Sequence, residues 1–266
     1  MLIDDAYYVT KLGLYHVIIF GVVVPFLALR GRRQLTKLDG PINRLRHFQV
    51  TSVMLTLFAA LSILTAGDHG MSLFHVDGRR MLVGLPLGLV VYAVAVVLMR
   101  PRWRKAVADR KRVVELFTPQ TTAERSWWLV VSLLAGVSEE ITWRGVQSTL
   151  VASLVGSAGL GIVICAVMFG GAHLTQGWKS ASIIVLFALG FQMLVWAGGS
   201  LFLPMLVHTA YDVTAGLTYA RLKRTFPQPT PDPSILLSWL RRTTTSRSKP
   251  SPSFGTSPSP SRIRKP

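Results

Sequence analysis

Apolar residues in this chain are gathered into long blocks rather than spaced along one face of short helices. Such blocks are read near 12–29, 48–66, 81–99, 127–151, 155–174, 181–196 and 201–220. A helix needs roughly 20 apolar residues to cross a bilayer, so the pattern predicts an all-α, polytopic membrane bundle of about seven to eight transmembrane helices. The sixth block is short, and Gly198-Gly199 leaves room for a re-entrant segment or an eighth crossing. Half of the 266 residues are hydrophobic and the mean hydropathy is +0.42, which agrees with this class. Residues 1–220 are read as the membrane domain.

A formal net charge of +17 would point to nucleic acid if the charges were clustered on a soluble surface, but they alternate by loop. Arg30, Arg32, Arg33, Lys37, Arg44 and Arg46 follow the first block. A second group running from Arg100 to Arg112 follows the third, and Arg221, Lys223 and Arg224 follow the last. The positive-inside rule makes these loops cytoplasmic, with the amino terminus outside and the carboxyl terminus inside. The loop holding Asp68 and Asp77 falls on the outer face, with Arg79 and Arg80 dissenting. The charge therefore reports topology and contact with anionic lipid rather than nucleic-acid binding, and it fits a bacterial-style plasma membrane. The first block has Asp4 and Asp5 where a signal peptide carries basic residues, and no small-residue cleavage site follows Ala28. It is expected to remain as an anchor. Residues 221–266 turn to Pro, Ser, Thr and Arg, a composition expected of a disordered cytoplasmic tail. Within it, 235–240 followed by Arg241-Arg242 offers a short surface-lying amphipathic element. The single cysteine, Cys165, lies in an apolar run and reads as a small core residue.

Three polar islands interrupt the apolar blocks, and ionisable residues inside a membrane are expensive, by about 2.5 kcal/mol upward for a charge at mid-bilayer. In the first, Glu140 and Arg144 stand four apart and stack as an ion pair. Glu139 is turned about 100° away and lacks that partner, which leaves it free to accept a proton from water. In the second, Phe169 and His173 share a face, with Gly170-Gly171 allowing a backbone or substrate to come close. In the third, His208 and Asp212 share a face, so that the carboxylate can hold the imidazole or both can point at one ligand. Plainer readings exist: glutamates that tie helices together, and a His–Asp pair that fixes helix register.

These residues resemble the CAAX prenyl endopeptidase (type II) and bacterial Abi-type CPBP membrane protease family, whose pattern is Glu-Glu-x-x-x-Arg, Phe-x-x-x-His and His-x-x-x-Asn on separate helices. Here the elements are Glu139-Glu140 with Arg144, Phe169 with His173, and His208 with Asp212, over about residues 126–219. The resemblance implies that Glu139 and His173 activate water and that His208, with the residue at 212, stabilises the tetrahedral intermediate. Glu140, Arg144 and Phe169 would support them. Asp212 departs from the usual Asn: it is either protonated, and so able to donate to an oxyanion, or it orients His208.

The chain is accordingly read as an intramembrane endopeptidase acting on a membrane-associated peptide or lipidated protein, with the bilayer as its other partner. No serine or cysteine is paired with the histidines, so water is the nucleophile. Gly136 and Gly145 are expected to admit an extended peptide. Metal-free chemistry is preferred. Zinc on Glu139, His173 and His208 is the alternative, although the His-Glu-x-x-His helix of common zinc proteases is missing. From other classes, a proton- or ion-coupled transport path and a non-catalytic immunity or scaffold protein use the same residue types.

Overall fold

The computed structural model describes residues 8–37 and 42–225. Asp4, Asp5, the Pro- and Ser-rich tail and its element at 235–240 lie outside the described residues. Among those described, every regular element is helical. The first rod begins at α1 (Lys11–Ile18), where Thr10 caps the Gly13 amide, and passes through a π-helical turn, Ile19–Val23, into α2 (Val24–Leu35). Pro25 explains the wide turn. It has no N–H to give the Gly21 carbonyl, and its ring would crowd that oxygen in a tight α-helix.

The chain continues as α3 (Arg44–Asp68), capped by Asn43, and α4 (Gly78–Ala108), capped by Asp77. After the short α5 (Arg112–Leu116) comes α6 (Thr122–Glu139), which opens with a reciprocal capping box between Thr121 and Glu124. Glu124 also takes Arg44 Nε at 3.2 Å, pinning the start of α6 to the start of α3. Without a break, α6 runs into a second π-helical segment, Glu140–Gln147, and then α7 (Ser148–Val155). As the ladder returns to α spacing, Ser148 Oγ and Thr149 Oγ1 donate to the carbonyls of Arg144 and Gly145, four residues back. Three more helices complete the fold: α8 (Ala158–Ala172), α9 (Trp178–Gly198), ended by the left-handed Gly199, and α10 (Phe202–Thr225).

Five expected blocks fall within one of these rods, 155–174 overruns both ends of α8, 201–220 begins one residue before α10, and the short sixth lengthens to the 21 residues of α9. Four rods are long and apolar enough to span a bilayer: Lys11–Leu35, Arg44–Asp68, Gly78–Ala108 and Trp178–Gly198. The rod from α6 to α7, and α10, fall short because they carry the ionisable islands, while α8 is a shorter apolar helix. The dissenting Arg80 has a local purpose, since its guanidinium donates to the Trp196 carbonyl near the end of α9.

Burial is inverted relative to a water-soluble bundle. Leu64, Leu82, Val83 and Val97 face outward, whereas His16, Ser62, Thr65, Glu140, Thr142 and Gln147 are fully buried. Hydrocarbon solvates the first set, and the second must find partners within the bundle. The chain is an integral membrane protein, with α6 packed on α3 and α10, and α8 held between α7 and α9.

Candidate functional site

The junction of α6 with the second π-helical segment separates two adjacent carboxylates. Glu140 is sealed from solvent, and its Oε1 lies 3.2 Å from Arg144 Nη1, as the four-residue spacing requires. The same oxygen accepts from His208 Nδ1 at 2.8 Å, a long-range bond that spacing does not reveal. Arg144 is buried too, its guanidinium carbon 4.3 Å from the centre of the Phe169 ring and 5.4 Å from that of Phe191. The cation is thus neutralised on one side and faced by aromatic rings on others, an arrangement suited to a desolvated guanidinium.

Glu139 has no arginine. Its Oε2 is 3.8 Å from His173 Nε2 and 3.8 Å from His208 Nε2, and no hydrogen bond reaches it. His173 terminates α8, where its Nδ1 lies 2.9 Å from the Phe169 carbonyl oxygen. A carbonyl only accepts, so Nδ1 carries a proton and, in the neutral ring, Nε2 is the acceptor facing Glu139. Phe169 packs edge-on against the imidazole, with centroids 4.6 Å apart. One aromatic side chain therefore touches both the buried arginine and His173.

Asp212 approaches His208 without a direct bond. Its Oδ2 stands 3.7 Å from His208 Nε2, too far for a hydrogen bond, and it approaches the nitrogen that faces Glu139. Nδ1, the nitrogen that fixes the ring, belongs to Glu140. A one-turn spacing puts two side chains on one face but leaves open which ring nitrogen is met. Exposure separates the two sets: the side chains of Glu139, His173 and Asp212 are 16%, 21% and 26% exposed, whereas those of Glu140 and Arg144 are at 0% and 3%. The first three side chains are partly open, although Glu139 Oε2 itself is covered, and the other two form the support behind them.

The small residues near the site hold helices together. A side chain at Gly136 would collide with Thr209 and Met205 of α10, and one at Gly145 would meet Leu73 and Leu201. Neither glycine opens onto a peptide path, contrary to expectation. Gly170 does admit another backbone, at Ala181 of α9. Cys165 is buried and donates to the Trp143 carbonyl at 3.1 Å.

No group of three or more His, Cys, Asp or Glu side chains is arranged to hold a metal ion among the described residues. Two ligands of a tetrahedral zinc lie about 3.3 Å apart. The separations from Glu139 to both imidazoles are 3.8 Å.

Residues 121–214 match the family model described as type II CAAX prenyl endopeptidase Rce1-like. No curated protein matches the chain, and no solved structure does. The matched stretch carries Glu139, Glu140, Arg144, Phe169, His173, His208 and Asp212, every residue of the constellation just described. By that match, residues 121–214 are similar to the Rce1-like family of type II CAAX prenyl endopeptidases.

Proposed function

We propose that the chain is an intramembrane endopeptidase that hydrolyses a membrane-associated peptide or lipidated protein with water activated by Glu139 and His173. The observation that carries this reading is Glu139 Oε2, a buried carboxylate oxygen without a hydrogen bond and equidistant, at 3.8 Å, from two imidazole nitrogens. A carboxylate left unsatisfied in a buried site holds its acceptor capacity in reserve for a reactant.

A single water within reach of Glu139 Oε2 and His173 Nε2 donates to both. As its oxygen bonds to the scissile carbonyl carbon, Glu139 takes its proton. The carbonyl oxygen becomes an oxyanion, for which the protonated His208 ring offers Nε2–H while Glu140 holds Nδ1. A protonated Asp212 is the second donor on that side. Collapse of the intermediate breaks the C–N bond, and the proton held by Glu139 passes to the leaving amine. This scheme needs no metal. The basic loops after the first, third and last rods support a plasma-membrane orientation with the carboxyl terminus cytoplasmic.

The test compares peptides released from membranes holding the wild-type chain with those from membranes holding Glu139→Gln. Products present only with the wild type are expected, and identical profiles would overturn the proposal.

A further inference from the structure

The geometry points to His16, in the first rod and outside the family-matched stretch, as the positioning residue that holds the π-helical segment Glu140–Gln147 and so aims Glu140 and Arg144. His16 is fully buried. Its Nδ1 lies 2.9 Å from Gln147 Oε1, and its Nε2 lies 3.0 Å from Ser62 Oγ, which in turn is 2.8 Å from Thr142 Oγ1. Gln147 Nε2 donates to the Val17 carbonyl, so its Oε1 is free to accept and His16 donates from Nδ1. Ser62 Oγ has one hydrogen and shares it between the Phe58 carbonyl, 2.8 Å away, and the Nε2 of a neutral His16, while it accepts from Thr142. Four side chains from three rods form one buried chain of polar contacts.

This network depends on the π geometry. At α spacing, about 100° per residue, Gln147 would lie within roughly 20° of Glu140 and far from Thr142. A π turn takes roughly 4.4 residues, about 82° each. That spacing carries Gln147 to within about 50° of Thr142, on the side opposite Glu140 and Arg144. His16 and Ser62 therefore grip a face that exists only while the segment is π-helical, and the opposite face carries the Arg144–Glu140–His208 series. Releasing the grip favours the α ladder and rotates Glu140 away from His208.

The consequence for turnover rests on the proposed function, but the structural claim has a readout that needs no activity. Cys165, the only cysteine, donates to the carbonyl of Trp143 inside the π-helical segment, so its protection from N-ethylmaleimide reports whether that segment is closed. The experiment uses the full chain in lipid nanodiscs. His16→Phe, which keeps ring packing against Phe20, is expected to speed labelling about tenfold, and Ser62→Ala about threefold, as one buried hydrogen bond or part of a chain is lost. His16→Asn, whose amide still reaches Gln147, should stay near the wild-type rate. Tyr92→Phe, which removes the 2.8 Å bond between α4 and Thr214 of α10, controls for general loosening and should leave labelling unchanged. Wild-type labelling in both His16→Phe and Ser62→Ala overturns the proposal, as does Tyr92→Phe labelling as fast as His16→Phe. Should His16→Phe fail to fold, Ser62→Ala against Tyr92→Phe decides. Given turnover, His16→Phe lowers kcat with KM little changed. Absent hydrolysis in every variant and in the wild type would count against the endopeptidase reading while leaving the labelling result intact.

Discussion

Glu140 and His208 are 68 positions apart in the chain and 2.8 Å apart in the fold, carboxylate oxygen to ring nitrogen. The same Glu140 oxygen serves Arg144, so one buried anion fixes a guanidinium and an imidazole together. Removing its charge therefore disturbs two partners. Glu140→Gln should lower stability by roughly 3 kcal/mol or more, because it strands the Arg144 cation in a dry site, and should lower hydrolysis as well. Denaturant unfolding in detergent, set beside a cleavage assay, checks both halves. A variant as stable as the wild type would show that Arg144 does not depend on this anion.

Glu139→Gln should behave differently. The Oε2 atom makes no hydrogen bond, so the fold has little to lose and unfolding should stay near the wild-type curve. Cleavage should fall by about 10²–10⁴-fold, the range of a lost general base. Wild-type turnover in the purified variant would remove Glu139 from the mechanism.

Asp212→Asn separates the two roles left open for that side chain. With His208 held by Glu140, the carboxyl contributes to the oxyanion only while it carries a proton. Activity that depends on it is present at low pH and lost as pH rises through its ionisation. An amide donates at every pH. The variant should keep activity and extend it towards higher pH, and a pH–rate profile depressed across the neutral range would instead support the orienting role.

Chelation tests the metal-free scheme. Stripping the purified chain with a strong chelator should leave hydrolysis unchanged, and metal analysis should find less than one equivalent of zinc. Loss of activity, restored by zinc alone, would replace the Glu139–His173 water with a metal-bound one.

Much of the architecture was legible because hydrocarbon imposes a simple rule: apolar blocks near 20 residues become rods. The Glu140–Arg144 pair was legible for a similar reason, since one helical turn separates them and both α and π spacing keep them on one face. The Glu140–His208 bond was not, because nothing local in either helix signals a contact across 68 positions. Its only trace was the excess of two carboxylates over one arginine. The role of Asp212 stayed open between two alternatives, because helical spacing fixes the face but not the ring nitrogen. His16 left no sign at all. It is a lone histidine in an apolar run, and its partners lie 46 and 131 positions away.

That last separation bears on how the protein is made. Ribosomes add about 5–20 residues each second, so Gln147 emerges roughly 7–26 s after His16. During that interval the first rod has entered the bilayer with an imidazole whose permanent acceptor does not yet exist. The newborn helix must wait beside translocon, lipid headgroup or water until the fourth rod arrives, and its final seating is among the later events of biogenesis.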